Sequence, residues 1–421
     1  MNKTPKSLRL HIGLFGRTNV GKSSLLNAVA DQQAAITSPV AGTTTDVVEK
    51  SMELLPIGPV TFLDTAGLDD RSALAPARIE RAYRAMGRAD VIVLVCEPDV
   101  WSDCETAIAQ EARAKGLPLI VAFNKTDKAA VDPDVQASAQ GVATAILYGS
   151  AISSDPQAQE RLKKDFKQAL AAHLPESFFA PPALAGDLLP PGGLAVLVVP
   201  IDLQAPKGRL ILPQVQTIRD LLDNDAAALV VKEREYPALL QRLNAPPDLV
   251  ICDSQVVARV VADTPPQTSL TTFSILFSRL KGDLQTMARG AARIEQLRPG
   301  DRVLIAEACT HHALEDDIGR VKIPRWLRQY TGCALEIDTY AGRDYPENLG
   351  DYRLVIHCGG CMINRREMLS RMGVTDEHAL PITNYGVAIS ALQGVLRRAL
   401  SPFPLAYAAY DEALKMPQES V

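Results

Sequence analysis

"GRTNVGKSS", residues 16–24, sits between the apolar run "LRLHIGLF" and the helical pattern "LLNAVADQ". It reads as GxxxxGKS in a strand–loop–helix setting, and that setting gives the spacing a mechanism. The glycines Gly16 and Gly21 let backbone N–H groups close around phosphates. Lys22 carries charge to the β- and γ-oxygens, and Ser23, followed by Ser24, can hold Mg²⁺. A strand feeding a phosphate loop and then a helix makes the first third an α/β nucleotide-binding domain.

Three later stretches extend the pattern. "VTFLDTAG" (60–67) is a strand ending in Asp64, placed to hold Mg²⁺ through water, with the N–H of Gly67 able to meet a γ-phosphate. "LIVAFNKTD" (119–127) is another strand, ending in Asn124, Lys125, Thr126 and Asp127. An ionised Asp only accepts, so Asp127 matches the adjacent N1–H and N2–H₂ donors of guanine, a pair that adenine lacks. The expected nucleotide is GTP. "AGTTTD" (41–46) can bring a threonine to Mg²⁺ only when the γ-phosphate is present, as switch loops do.

Together these motifs resemble the TrmE–Era branch of small GTPases. The resemblance implies that Thr44 is the switch threonine, acting with Lys22 and Gly67 in catalysis. It also implies that Asn19 ligates K⁺, and that Ser150 and Ala151 in "YGSA" (148–151) meet the guanine O6. Leu68 stands where Ras-like enzymes have a water-orienting glutamine, so hydrolysis is expected to be slow and stimulated by potassium. "SALAPA" (72–77) has no carboxylate where some relatives carry a catalytic glutamate, and no residue is assigned to position the water.

At 421 residues, 47% of them hydrophobic, the chain has room for two or three domains with proper cores. Its net charge of −5 and lack of a Lys/Arg run predict no nucleic-acid or membrane partner. The longest apolar runs are strand-length, far below the roughly 18 residues of a membrane span. The start reads as having no signal peptide, so a cytoplasmic protein is expected. Seven cysteines make no disulfide framework and are available as metal ligands in a reducing compartment.

The GTPase domain is expected over 1–174, closed by amphipathic "QAQERLKKDFKQALAAHL" (157–174). A Pro/Gly-dense stretch over 175–193 reads as a linker. The runs "LAVLVVPI", "AAALVVK" and "DLVICD" alternate with helical patterns, which predicts a small α/β domain with a parallel sheet over 194–264. It carries no chemical motif, so docking or dimerisation is its expected role. Cys252 reads as a buried strand residue. "ADTPPQTS" (262–269) reads as the next boundary, which leaves 265–421 as a third α/β domain.

That last part holds the remaining signal. A strand over 303–307 leads to Cys309, Thr310, His311 and His312, and a strand over 353–356 leads to "HCGGC" (357–361). In parallel sheets ligands gather beyond the carboxyl ends of the strands. Cys309, Cys358 and Cys361 could then share one crevice. A redox CxxC needs neither Cys309 nor the histidines. A closed Cys₃His zinc site and a 4Fe–4S cluster with one weakly held iron both suit the residues, and chemistry alone leaves them open.

CxH followed by HCxxC, on a chain that opens with a TrmE-like GTPase, resembles the HydF family of FeFe-hydrogenase maturation GTPases. The resemblance covers the whole chain. It implies a 4Fe–4S cluster on Cys309, Cys358 and Cys361, with His311 or His357 as a candidate fourth ligand. It further implies a dimeric scaffold that receives a transient diiron precursor from two radical-SAM maturases and passes it to the hydrogenase. The competing reading is a TrmE/Era-like GTPase of tRNA modification or ribosome assembly with a C-terminal zinc site. No second GxxxxGKS and no basic tail support it. His312 lies outside the motif and is expected to face solvent, and Cys333 is expected in the core. "GRVKIPRWLR" (319–328) reads as a solvated helix face, with binding of an anionic precursor as a second reading.

Overall fold

The structure, a computed structural model, describes residues 5–30, 47–65, 67–68, 75–174, 178, 183–200, 210–308, 317–342 and 344–416. The chain divides into two compact units, Met1–Pro181 and Pro182–Val421.

The first unit is built on a six-stranded sheet in the order β2-β3-β1-β4-β5-β6. Its strands are β1 (Leu10–Phe15), β2 (Val47–Leu54), β3 (Gly58–Thr65), β4 (Val91–Cys96), β5 (Leu119–Phe123) and β6 (Ala145–Tyr148). Every pair is parallel except β2 with β3. In β1, β4 and β5 every residue is buried, as strands covered on both faces must be. The closing helix, Pro156–Ala172, buries Leu162, Phe166 and Leu170, a single stripe at four-residue spacing. It opens with Asp155 accepting from the Gln157 N–H and with Pro at the first helical position, a start that leaves few orphan donors.

The second unit has two four-stranded sheets, and every strand pair in both is parallel. One, in the order β10-β9-β7-β8, comprises β7 (Leu194–Val198), β8 (Ala227–Val231), β9 (Leu249–Cys252) and β10 (Ser269–Thr272). The other, in the order β12-β11-β13-β14, comprises β11 (Arg302–Glu307), β12 (Glu336–Ala341), β13 (Leu354–His357) and β14 (Ile382–Asn384). A single buried apolar cluster runs from Leu184 to Tyr410 and joins the two sheets. The helix Leu284–Ala292 packs directly on β14: a Cβ on Gly290 would lie 1.9 Å from the Ile382 carbonyl oxygen, so only glycine fits.

Two expectations about boundaries are corrected. The stretch read as a linker over 175–193 is docked from Leu184 onward, with Leu184, Ala185 and Leu189 buried. The Asp220 carboxylate accepts the consecutive N–H groups of Leu184, Ala185 and Gly186 at 3.0, 2.7 and 2.7 Å, which satisfies a backbone that proline density had marked as irregular. The boundary expected at 264/265 falls inside a sheet, because β10 pairs with β9 in register Ser269↔Leu249 to Thr272↔Cys252. The prolines of "ADTPPQTS" end the helix Val257–Asp263 without ending the domain.

Candidate functional site

The phosphate loop joins β1 to the helix Lys22–Val29. Gly21 stands at the helix N-cap with φ +98°, and a Cβ there would lie 2.2 Å from Asn124 Nδ2. Asn124, buried at the end of β5, donates from Nδ2 to the Val20 carbonyl (2.8 Å) and accepts at Oδ1 from the Ala151 N–H (2.9 Å). One amide side chain thus ties the phosphate loop to the Ser150–Ala151 loop. Lys22 Nζ donates to the Gly16 and Arg17 carbonyls at 2.9 and 2.8 Å. Exposed Ser23 meets Asp64 through its hydroxyl, and Gly67 lies against Thr18 so closely that a Cβ would sit 2.6 Å from the Thr18 nitrogen.

The base side is built in the same way. Lys125, held at φ +62°, donates from Nζ to the Asn19 carbonyl (2.7 Å) and to Glu97 Oε1 (2.6 Å), while Asp127 is exposed. Asn19 itself is exposed at φ +62°. Ser150 and Ala151 are buried behind the loop, and Ser24 is half-buried. Leu68 is half-buried and packs against the apolar cluster beneath β4 and β5. Thr44, with the rest of the 41–46 loop, lies outside the described residues, as do residues 72–74 of "SALAPA".

Sequence reasoning missed an ionic brace under this loop. Arg17 donates from Nε to Glu105 Oε1 at 2.9 Å and pairs with Glu97 at 3.4 Å. Glu105 is fully buried and also accepts from the Ser102 N–H and hydroxyl, which completes a capping box. The S-x-x-E spacing of "SDCE" (102–105) carried that signal.

In the second unit, β11 and β13 are adjacent, in register Val303↔Leu354 to Ala306↔His357, so the segments that follow them leave the same sheet edge. The Cys358 N–H donates to the Ala306 carbonyl (2.8 Å), and its Sγ accepts the Ala308 N–H (3.2 Å) and that of Gly360. Burial pushes the Cys358 thiol up, and these two amides pull it back. Cys361 is exposed, and Gly360 makes the turn at φ +60°. A sulfur bonded by amides and a second sulfur facing out suit thiolate ligation of a metal or cluster.

His357 does not fit the ligand role expected of it. It ends β13 fully buried, its Nδ1 bonded to the Cys358 carbonyl (2.6 Å) and its Nε2 accepting from Arg371 Nε (2.7 Å). Burial and the Arg371 charge push its pKa down to about 3, so the ring is neutral with both nitrogens committed to the protein. Cys309, His311 and His312 lie outside the described residues, and among the described residues no group of three His, Cys, Asp or Glu could hold a metal.

Other expected residues resolve simply. Cys96 and Cys252 are buried strand residues, and half-buried Cys333 packs at the core margin. In the basic stretch, Arg320 pairs with buried Glu307 (2.9 Å) and Lys322 donates to Gln255 (3.1 Å), while Ile323 and Leu327 enter the core. Arg320, Arg325 and Arg328 are exposed, so the segment presents the expected solvated face while its apolar side anchors it to the core.

Two buried cations flank the "HCGGC" turn without any sequence signal. Arg371 stacks on Tyr345, 4.4 Å from the ring centre. Lys281, only 3% exposed, donates from Nζ to the carbonyls of Gly360 (2.8 Å), Ile363 (3.1 Å) and Cys361 (3.3 Å). Burial pushes the Lys281 ammonium down to about 8, opposed by Cys361, Cys358 and Glu367.

A strand–phosphate-loop–helix with an Asn-Lys-Thr-Asp strand end, fused to two parallel α/β sheets, defines a multidomain P-loop GTPase. Family models agree along the chain: 50S ribosome-binding GTPase over 11–125, hydrogen maturase F dimerization domain over 184–282, and hydrogen maturase F tetramerization domain over 285–402. The chain belongs to the hydrogen maturase F family, a GTPase joined to that family's two oligomerisation domains.

Curated relatives match over part of the chain. The tRNA modification GTPase MnmE of Synechococcus sp. (strain JA-3-3Ab) is 40% identical over 147 residues, 31% of this chain and 31% of that protein. The MnmE of Zymomonas mobilis is 51% identical over 85 residues, 20% of this chain and 19% of that one. The chain thus spans about a third or less of these relatives. Among solved structures, the G domain of the T. maritima FeoB iron transporter aligns with 22% identity and a TM-score of 0.29, over 38% of this chain and 98% of that one. No helix among the described residues is long and apolar enough to cross a membrane.

Proposed function

We propose that this chain is a GTP-hydrolysing scaffold that holds a 4Fe–4S cluster on Cys309, Cys358 and Cys361 and delivers a diiron precursor to apo FeFe-hydrogenase. The observation that carries the reading is the Cys358 sulfur, which accepts two backbone N–H bonds at the carboxyl end of β13, beside the end of its neighbour β11. Amide bonds to sulfur stabilise thiolate, and thiolate is what iron–sulfur clusters bind. The cluster would supply an iron site short of one protein thiolate, able to accept an exchangeable ligand. This chain's residues present the sulfurs, exclude water beneath them and set the charge around them. The fourth ligand is left to His311 or to a non-protein group, since the His357 ring is already committed.

In the same reading Lys22, Ser23, Asp64 and Gly67 meet the phosphates and Mg²⁺ together with Thr44. Asn124, Lys125, Asp127, Ser150 and Ala151 read guanine, and Asn19 holds K⁺. Turnover is slow, because Leu68 packs inward and cannot orient water. The protein acts in the cytoplasm as an oligomer, downstream of two radical-SAM maturases. Its dimerisation runs through the β10-β9-β7-β8 sheet, whose edge strand β8 exposes Leu229 and Val230. The MnmE likeness supports the GTPase part alone.

Incubating purified apo FeFe-hydrogenase with protein isolated from cells that express both maturases tests the proposal. Hydrogen evolution should appear with the wild type and vanish with Cys358→Ala. Equal activation by both proteins would overturn it.

A further inference from the structure

Residues 279–282 and 360–365 are held together by two cations that cross in opposite directions. From the end of the helix Phe273–Lys281, Lys281 reaches the carbonyls of Gly360, Cys361 and Ile363. From the start of the helix Arg365–Glu377, Arg365 reaches back to the carbonyls of Leu280 (2.7 Å) and Gly282 (3.0 Å). Arg365 thereby caps a helix C-terminus, where orphan carbonyls and the dipole favour a cation. Lys281 does something different: it fills the inside of the turn that carries Cys358 and Cys361.

Three carbonyl acceptors on one nitrogen require three N–H donors, so this is the ammonium form. Its bonded partners are all neutral. The groups that favour its charged form are Cys361 and Cys358, whose sulfurs are negative when ligating, then the Glu367 carboxylate. A cation this deeply buried is costly unless an anion compensates it. The two sulfurs of the turn are the compensation that the site offers.

We propose that Lys281 is a positioning residue for the metal centre, fixing the 358–363 turn through its carbonyls and placing a positive charge beneath the thiolates. The inference rests on the iron–sulfur reading above for its charge role, and on the hydrogen bonds alone for its clamp role. The clamp also links the sequence region matched as the dimerization domain to the cysteines of the next domain.

Lys281→Met keeps the length of the side chain and removes both the donors and the charge. In full-length apo protein, hydrogen exchange of the 359–363 amides should speed up at least tenfold, while exchange in the sheet strands stays as in the wild type. In anaerobically reconstituted protein, iron and sulfide should remain, and reduction should become about tenfold less favourable, a midpoint 59 mV lower for one electron. Lys281→Arg keeps the charge and should return most of that shift. Should Lys281→Met not accumulate as folded protein, Lys281→Leu, which also lacks donors and charge, is read in the same way. Unchanged exchange across 359–363 would overturn the clamp, and an unchanged midpoint would overturn the charge role. Failure of the wild type to take up iron and sulfide would instead overturn the reading beneath, with the exchange comparison still deciding the clamp.

Discussion

Ser23 Oγ donates to Asp64 Oδ2 at 3.1 Å, which joins the first turn of the phosphate-loop helix to the end of β3. Lys50 Nζ stands 3.6 Å from the same carboxylate oxygen. The two side chains assigned to Mg²⁺ are thus within hydrogen-bond reach of each other, and a cationic side chain stands beside the carboxylate.

Removing either end of that phosphate grip should stop turnover. Lys22→Ala or Ser23→Ala is expected to lower the GTPase rate about a hundredfold or more, as loss of an aligned donor does elsewhere. Iron content of the same proteins should not change, because Lys22 and Ser23 belong to one compact unit and Cys358 and Cys361 to the other. Steady-state phosphate release and colorimetric iron analysis on the same preparations check both halves.

Asp127 is exposed, and an ionised carboxylate offers acceptor oxygens only. GTP and GDP should therefore bind with Mg²⁺, and ATP should compete only at concentrations orders of magnitude higher. Displacement of a fluorescent GDP analogue measures this. Competition by ATP near the GTP concentration would contradict the assignment.

The GTPase fold was legible because each of its motifs is contiguous and sits at a strand end, where a few letters fix the backbone. The brace beneath them was only half legible: "SDCE" announces a helix cap, but nothing local tells that Glu105 also receives Arg17. Lys281 was not legible at all. Its partners lie about 80 positions away and are carbonyl groups, which every residue type carries. Proline misled twice, at 175–193 and at 262–269, because it reports local backbone irregularity, whereas a sheet closes through distant partners such as Asp220 and β9. His357 misled for the opposite reason: a histidine beside cysteines reads as a ligand until Arg371 is seen at its Nε2.

Hydrolysis should run faster in potassium than in sodium. Half-buried Leu68 packs against the apolar cluster and has no polar group to orient water, and Asn19 stands exposed on the phosphate loop at φ +62°. Rates compared at equal ionic strength should differ several-fold, and Asn19→Ala should erase the difference. Equal rates for the wild type in both salts would remove Asn19 from the ion site.

The edge strand β8 should be an assembly surface. Leu229 and Val230 are 36% and 48% exposed on a strand that forms the sheet edge among the described residues, an arrangement that invites a second chain. Val230→Lys is expected to reduce the oligomer mass seen by light scattering while leaving GTP binding intact. An unchanged mass would place the interface elsewhere.

Whether Cys309, Cys358 and Cys361 hold an iron–sulfur cluster is read directly from iron, zinc and acid-labile sulfide per chain after anaerobic reconstitution. About four irons and four sulfides per chain are expected for the wild type. Each of Cys309→Ala, Cys358→Ala and Cys361→Ala should lose most of both, while Cys96→Ala, Cys104→Ala and Cys252→Ala retain them. His357→Ala should keep the iron and alter the turn through loss of the Arg371 contact. Stoichiometric zinc with no sulfide would contradict the claim and make "HCGGC" half of a zinc site.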